Sequence, residues 1–202
     1  MSLPSLAIFL ALSYLIGSIS GSYLIGKIFL NKDIRKFGSG NAGTTNAMRT
    51  FGKKFGIATF IIDFLKGFIN ISLVKIILNP SCDFLILCAL FCVLGHDFPF
   101  HMNFKGGKGV ATTIGTLAVI NFYLTLYGVI IWIVVVILTK IVSVGSMSFY
   151  ISIVFLYTLF GNYSDFTYII LIIIASLGIF RHNTNLYRLI EGRENKIGVK
   201  RK

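Results

Sequence analysis

The run VATTIGTLAVINFYLTLYGVIIWIVVVIL, residues 110–138, decides the fold. It is apolar throughout and carries no charge, whereas about 20 apolar residues already suffice to cross the roughly 30 Å hydrocarbon core of a bilayer. Read as one tilted helix, it would deliver Lys140 and everything after it to the opposite side of a membrane. Read as broken at Asn121, it gives a short helix and a longer one, and the chain returns to the side it left. Charge placement chooses between the two.

Outward from that run, further apolar stretches cover Leu6 to Ile25, Phe55 to Leu78, Phe84 to about Pro99, Val142 to Phe160 and Phe166 to Phe180. The first lacks a basic segment ahead of it, so it reads as a span rather than a cleavable leader. Of the 19 Lys and Arg, seven fall between Lys27 and Lys54, two are Lys105 and Lys108, and seven lie from Arg181 onward. The Asn79–Asp83 and Gly161–Asp165 turns hold none. Basic loops stay in the cytoplasm, and only a break at Asn121 puts all three basic segments there. The expected fold is therefore all-α: a polytopic membrane protein with seven transmembrane helices, the N-terminus outside and the C-terminus cytoplasmic. Residues 1–202 are expected to form a single integral membrane domain.

Composition agrees. The chain is 55% hydrophobic and only 13% charged, with a mean hydropathy of +0.84, against about 25% charged residues in a soluble domain. That excludes a soluble nucleic-acid binder despite the formal charge of +12. Cys82, Cys88 and Cys92 are odd in number and lie beside or within an apolar run, which excludes a disulfide scaffold. Asp63 and Lys66, three residues apart inside a span, are expected to pair with each other or with a site, because an isolated charge there is costly.

The three cytoplasmic segments are not ordinary connections. The first, KFGSGNAGTTNAMRTFGKKFG (36–56), interleaves Gly38, Gly40 and Gly43 with Ser39, Asn41, Thr44, Thr45 and Asn46, and Arg49 follows. Glycines let consecutive backbone N–H groups converge on an anion, and a guanidinium completes a phosphate site. The second, GHDFPFHMNFKGGKGVATT (95–113), sets Lys105, Gly106, Gly107 and Lys108 just before a helix start, a second place for a phosphate. Its spacing is not that of a nucleotide-hydrolysing loop. The third, RHNTNLYRLIEGRENKIG (181–198), is expected to continue the last span as a helix, with Arg181, His182, Asn185 and Arg188 within one arc and Glu194 beyond it. Three readings are open to such a chain: an enzyme of phosphorylated substrates, a transporter of a phosphorylated small solute, or a structural subunit whose basic loops lie on anionic lipid. Against the transporter, the polar clusters lie on one face, with only Asp63 and Lys66 near the midplane.

The segments GSGNAGTTNAMR, HDFPFHMNFKGGKGVATT and RHNTNLYRLIEGRE resemble the three cytoplasmic motifs of bacterial acyl-phosphate-dependent glycerol-3-phosphate acyltransferases, the PlsY family. GSISGSYLIGK (17–27) and DFLKG (63–67) also match, so the resemblance covers nearly the whole chain. It implies transfer of a fatty acyl group from acyl phosphate to glycerol 3-phosphate, giving lysophosphatidic acid and phosphate, the first acylation step of phospholipid synthesis. It implies catalytic roles for His182, Asn185, Ser39 and Arg49, and substrate binding by Asn41, Thr45, Asn46, Lys105, Gly106, Gly107, Lys108, Arg188 and Glu194. No cofactor and no metal is expected. The expected partners are the two substrates and the lipid bilayer, with no nucleic acid, the chain working as a monomer in the bacterial cytoplasmic (inner) membrane with its site on the cytoplasmic face. Asn183 and Tyr187 depart from the residues common in the family, as do Ser20 and Gly21. Acyl-CoA-dependent enzymes use a histidine and an aspartate separated by four residues, and no histidine here has that partner.

Overall fold

A computed structural model describes residues 3–198; Lys200, Arg201 and Lys202 of the basic tail lie outside the described residues. Among these there is no strand. The α-helices are α1 (Leu3–Ser18), α2 (Gly21–Leu30), α3 (Thr44–Thr50), α4 (Lys53–Leu78), α5 (Cys82–Asp97), α6 (Val110–Ile120), α7 (Phe122–Thr139), α8 (Val142–Phe160), α9 (Asp165–Phe180) and α10 (Asn183–Ile190). The chain divides into two compact units, one ending at Ile120 and the other beginning at Asn121.

The break at Asn121 is real. Asn121 is extended (φ −149°, ψ 101°) and its side chain accepts the Leu124 N–H at 3.1 Å, while Thr125 Oγ1 donates to its carbonyl at 2.7 Å. A capping asparagine satisfies amides that a helix start leaves without partners.

In the first unit, α4 shows what kind of solvent surrounds the protein. Its buried stripe is Gly56, Thr59, Asp63, Lys66, Gly67, Asn70, Ile71 and Val74. Its outer face carries Ile57, Phe60, Ile61, Leu65, Phe68, Ile69, Leu73 and Ile76, all exposed. A helix in water buries its apolar face; this one buries the polar face, as a helix in hydrocarbon does. Close backbone packing also holds this unit together: α1 lies against α5, where a Cβ on Gly17 would sit 2.0 Å from the Cys92 carbonyl oxygen and one on Gly95 2.1 Å from that of Tyr14. Cys88 and Cys92 are fully buried there as free thiols.

Among the described residues, three helical segments are long and apolar enough to cross a membrane, or five when each of two bent pairs counts as one span. Those bends correct two expectations. The first apolar run is not one helix: α1 and α2 meet at 47°, because Ser20 caps α2 and Asp63 Oδ1 accepts the Gly21 N–H at 3.1 Å. Nor does the tail continue the last span; α9 and α10 meet at 52° around Arg181 and His182. The tail turns there because Asn185 and Arg188 are captured by a carboxylate downstream.

Candidate active site

In the first unit, the loop from Phe37 to Gly43 is wound around one amide. Asn46, 3% exposed, donates from Nδ2 to the carbonyls of Phe37 and Asn41 at 3.0 Å and of Ile34 at 3.3 Å. Its Oδ1 accepts the Ser39 N–H at 3.0 Å and the Thr50 hydroxyl at 3.4 Å. Both donors and both lone pairs of the amide are thus engaged by the loop and the residues flanking it, Ile34 and Thr50. Gly38, at φ +59°, lies so close that a Cβ would stand 2.2 Å from that Oδ1. The loop presents the side chain of Ser39 outward and Asn41 half-buried, while α3 carries Thr45 half-buried and Arg49 exposed.

The second basic segment is anchored to the first. Ile34, Ala42 and Met102 form a small buried core beneath Tyr23 and Phe51. Arg35 donates to the Met102 carbonyl at 2.6 Å while held by Asp33 at 2.7 Å. Neither Arg35 nor Met102 was among the expected site residues, although Asp33 and Arg35, two apart beside the motif, were a readable signal. Past this anchor, Lys105 is exposed and Lys108 half-buried, whereas Gly106 and Gly107 are buried. Their amides bond, at 3.1 Å each, to the carbonyls of Asp97 and His96 at the end of α5. The two glycines therefore brace the loop, and its cations lie on either side of them.

Under the loop lies a network in α4 and α5. Lys66 Nζ is 3.1 Å from Asp63 Oδ1 and 2.7 Å from His96 Nδ1, and it also donates to the Ile19 carbonyl at the α1–α2 break. Asp63 and Lys66 do pair with each other, as expected. His96 is the addition that sequence reasoning missed, because only the fold brings it 30 residues along the chain to Lys66.

The second unit gathers His182, Asn185, Arg188 and Glu194. His182, 4% exposed, sits at the α9–α10 bend with Nδ1 2.7 Å from the Gly178 carbonyl. A carbonyl only accepts, so Nδ1 carries a proton, and in the neutral form of the ring Nε2 is the acceptor. Glu194 is buried: its Oε1 accepts from Asn185 Nδ2 at 2.7 Å and Ser143 Oγ at 3.0 Å, and its Oε2 from Arg188 Nε at 2.7 Å. Burial opposes its ionisation, but the bonds from Arg188, Asn185 and Ser143 and the Arg188 charge prevail and hold the carboxyl below the ordinary glutamate value. Glu194 thus acts as the clasp that folds the tail back onto α8. Asn183 and Tyr187, where the sequence departs from the family pattern, are exposed and outside this cluster. Among the described residues no three His, Cys, Asp or Glu side chains come together as a metal site would need.

Comparison with known proteins places this geometry in context. A family model described as glycerol-3-phosphate acyltransferase matches residues 7–192. The glycerol-3-phosphate acyltransferase of Finegoldia magna is 42% identical over 92% of this chain and 92% of its own. Glycerol-3-phosphate acyltransferase 2 of Thermotoga maritima is 41% identical over 95% of this chain and 96% of its own. Among solved structures, the glycerol 3-phosphate form of PlsY (YgiH), an integral membrane glycerol 3-phosphate acyltransferase, is similar with a TM-score of 0.90 at 35% identity, covering 96% of both chains. Its lysophosphatidic acid form gives 0.87 at 34% identity over the same share.

Proposed function

The chain belongs to the glycerol-3-phosphate acyltransferase family, and from that premise we propose that its acyl donor is an acyl phosphate and that residues 1–202 act as one acyltransferase domain. It acylates glycerol 3-phosphate to lysophosphatidic acid, within phospholipid synthesis. The hydroxyl oxygen of glycerol 3-phosphate attacks the carbonyl carbon of the mixed anhydride and gives up its proton to His182 Nε2 or to a substrate phosphate; the bond from that carbon to the bridging oxygen breaks, and inorganic phosphate leaves with that oxygen. Phosphate is a good leaving group, so no acyl-enzyme is required and positioning with charge stabilisation supplies most of the acceleration. Ser39, Arg49, Lys105 and Lys108 bind phosphoryl oxygens, with Asn41 and Thr45 lining the loop and Asn46, Gly106 and Gly107 shaping it. Asn185 and His182 orient glycerol 3-phosphate; Glu194, itself bonded by Arg188, holds Asn185, and the Gly178 carbonyl holds the His182 ring.

The observation that carries this reading is the 2.7 Å contact from His182 Nδ1 to the Gly178 carbonyl. It fixes the tautomer whose Nε2 accepts, which is what a base for the attacking hydroxyl needs. His182→Ala is expected to lower kcat by roughly 10²–10⁴-fold, the range for a lost general base, with the KM for acyl phosphate nearly unchanged. A raised KM for glycerol 3-phosphate with kcat kept at saturation would assign the proton to a substrate phosphate instead. Full activity at ordinary glycerol 3-phosphate would remove His182 from the site. Arg49→Ala should weaken ground state and transition state alike, because it removes a cation from a bound phosphate.

The same proposal includes topology: seven spans formed by the α1–α2 pair, α4, α5, α6, α7, α8 and α9, in a monomer of the bacterial inner membrane with the catalytic residues facing the cytoplasm. The 16 clustered cations support it through the charge rule. The 11 residues of α6 extend only about 16 Å at 1.5 Å each, about half the hydrocarbon core. The 105–109 loop at its start is then sunk toward the acyl chains, where an acyl phosphate presents its carbonyl. Cysteines introduced at Lys54 and Lys202 should be labelled only from the cytoplasm; labelling at Lys202 from outside intact cells would remove the crossing at α6.

A further inference from the structure

The last turn of α5 meets the loop of residues 105–109 through the carbonyls of Asp97 and His96, and of the two only His96 also brings a ring, whose chemistry is set from below. An ammonium has three N–H groups and accepts nothing. Lys66 faces three acceptors: the Ile19 carbonyl, Asp63 Oδ1 and His96 Nδ1. His96 therefore receives at Nδ1, and its neutral ring carries the proton on Nε2. That Nε2 edge is the part of the molecule that a side chain on Gly107 would strike, since a Cβ there would stand 2.0 Å from Nε2 and 2.7 Å from Cε1. The ring occupies the volume that every residue but glycine would fill, while the backbone of the same histidine bonds the Gly107 amide at 3.1 Å.

We propose that His96 is a positioning residue for the phosphate loop: the buried Asp63–Lys66 pair fixes its ring, the ring sets the height of Gly106 and Gly107, and these set how Lys105 and Lys108 meet a phosphate. Because Asp63 also holds the Gly21 amide and Lys66 the Ile19 carbonyl, the loop is tied to the α1–α2 break through the same pair. The proposal rests on the reading of Lys105 and Lys108 as phosphate ligands. The ligand is a phosphate monoester or an acyl phosphate, and varying each substrate separately shows which one the loop holds.

Three measurements on the full chain in detergent test it. His96→Phe keeps the ring volume and removes the Nδ1 acceptor. It should raise the KM for one phosphate substrate about tenfold or more, the scale of a lost hydrogen bond to a charged group, with the other KM and the saturating kcat nearly kept. His96→Gln, which retains an acceptor for Lys66, should restore most of that loss. Equal loss in every kinetic parameter, or no change in a folded His96→Phe, would overturn the proposal. Next, Gly107→Ala should be impaired because its methyl meets the ring, and His96→Ala in the same chain should relieve the clash. Additive losses in the double variant would contradict this. Finally, ¹⁵N histidine spectra of the unsubstituted protein should show His96 protonated at Nε2 and bare at Nδ1; a proton on Nδ1 would sink the proposal. This last readout needs no turnover, so a chain that failed to acylate would refute the functional reading while leaving the His96 result to stand or fall alone.

Discussion

Two buried histidines, one in each unit, are each 4% exposed and are wired in opposite senses. His96 faces the Lys66 ammonium at 2.7 Å and accepts at Nδ1. His182 faces the Gly178 carbonyl at 2.7 Å and donates from Nδ1. One ring is thereby left with a donor at Nε2 and the other with an acceptor, although residue type, burial and contact distance are alike. The carboxylates beside them differ in the same way. Asp63 pairs with a lysine on its own helix and also holds a backbone break, whereas Glu194 is reached by three side chains from two other segments and anchors a tail. Partner chemistry, more than residue identity, decides what a buried polar group does.

The comparison predicts its sharpest contrast at Lys66. Lys66→Met leaves the Asp63 carboxylate buried without its cation and His96 without its donor, and breaking such a pair typically costs about 3–5 kcal/mol. Thermal unfolding in detergent should show that loss. Adding Asp63→Asn, which removes the stranded charge yet still accepts from the Gly21 amide, should recover most of it. If Lys66→Met melts where the unsubstituted chain does, the first network is not a support.

The second unit should respond to acid instead. The Glu194 carboxyl titrates lower in the folded chain than its ordinary value near 4.5. Its contribution is therefore complete above that value and is lost as pH falls through the lower, folded one. Melting temperatures taken from pH 6 downward should fall in that acidic window, and Glu194→Gln should start lower and flatten that part of the profile. Identical profiles for the two proteins would show that the clasp does not depend on charge.

The smallest effect belongs to the boundary between the units. Asn121→Ala removes a helix cap and should cost about 1 kcal/mol, read as a modest drop in melting temperature with the acyltransferase KM values unmoved.

How much of this was legible in the sequence depended on how far apart the deciding groups lie. The break at Asn121 followed from charge bookkeeping along the chain, and the Asp63–Lys66 pair from a spacing of three. The α1–α2 bend was hidden, because the carboxylate that accepts the Gly21 amide lies 42 residues away. The bend at His182 was missed for a like reason: the tail reads as helix until Glu194 draws Asn185 and Arg188 back. Glycine-and-base composition singled out the segments but not the division of labour within them. Asn46, Gly106 and Gly107 look like ligands by type, but the Asn46 amide is bonded to the backbone around its own loop and the two glycine amides to the carbonyls that end α5.

The proposed transfer of an acyl group from phosphate to glycerol 3-phosphate can be measured directly. The most direct measurement follows inorganic phosphate and lysophosphatidic acid together in purified protein given acyl phosphate and glycerol 3-phosphate, with acyl-CoA as the alternative donor. The two products are expected in equal amounts, dependent on glycerol 3-phosphate, with none of either when acyl-CoA is the sole donor. Comparable turnover with acyl-CoA, or phosphate release without lysophosphatidic acid, would contradict it.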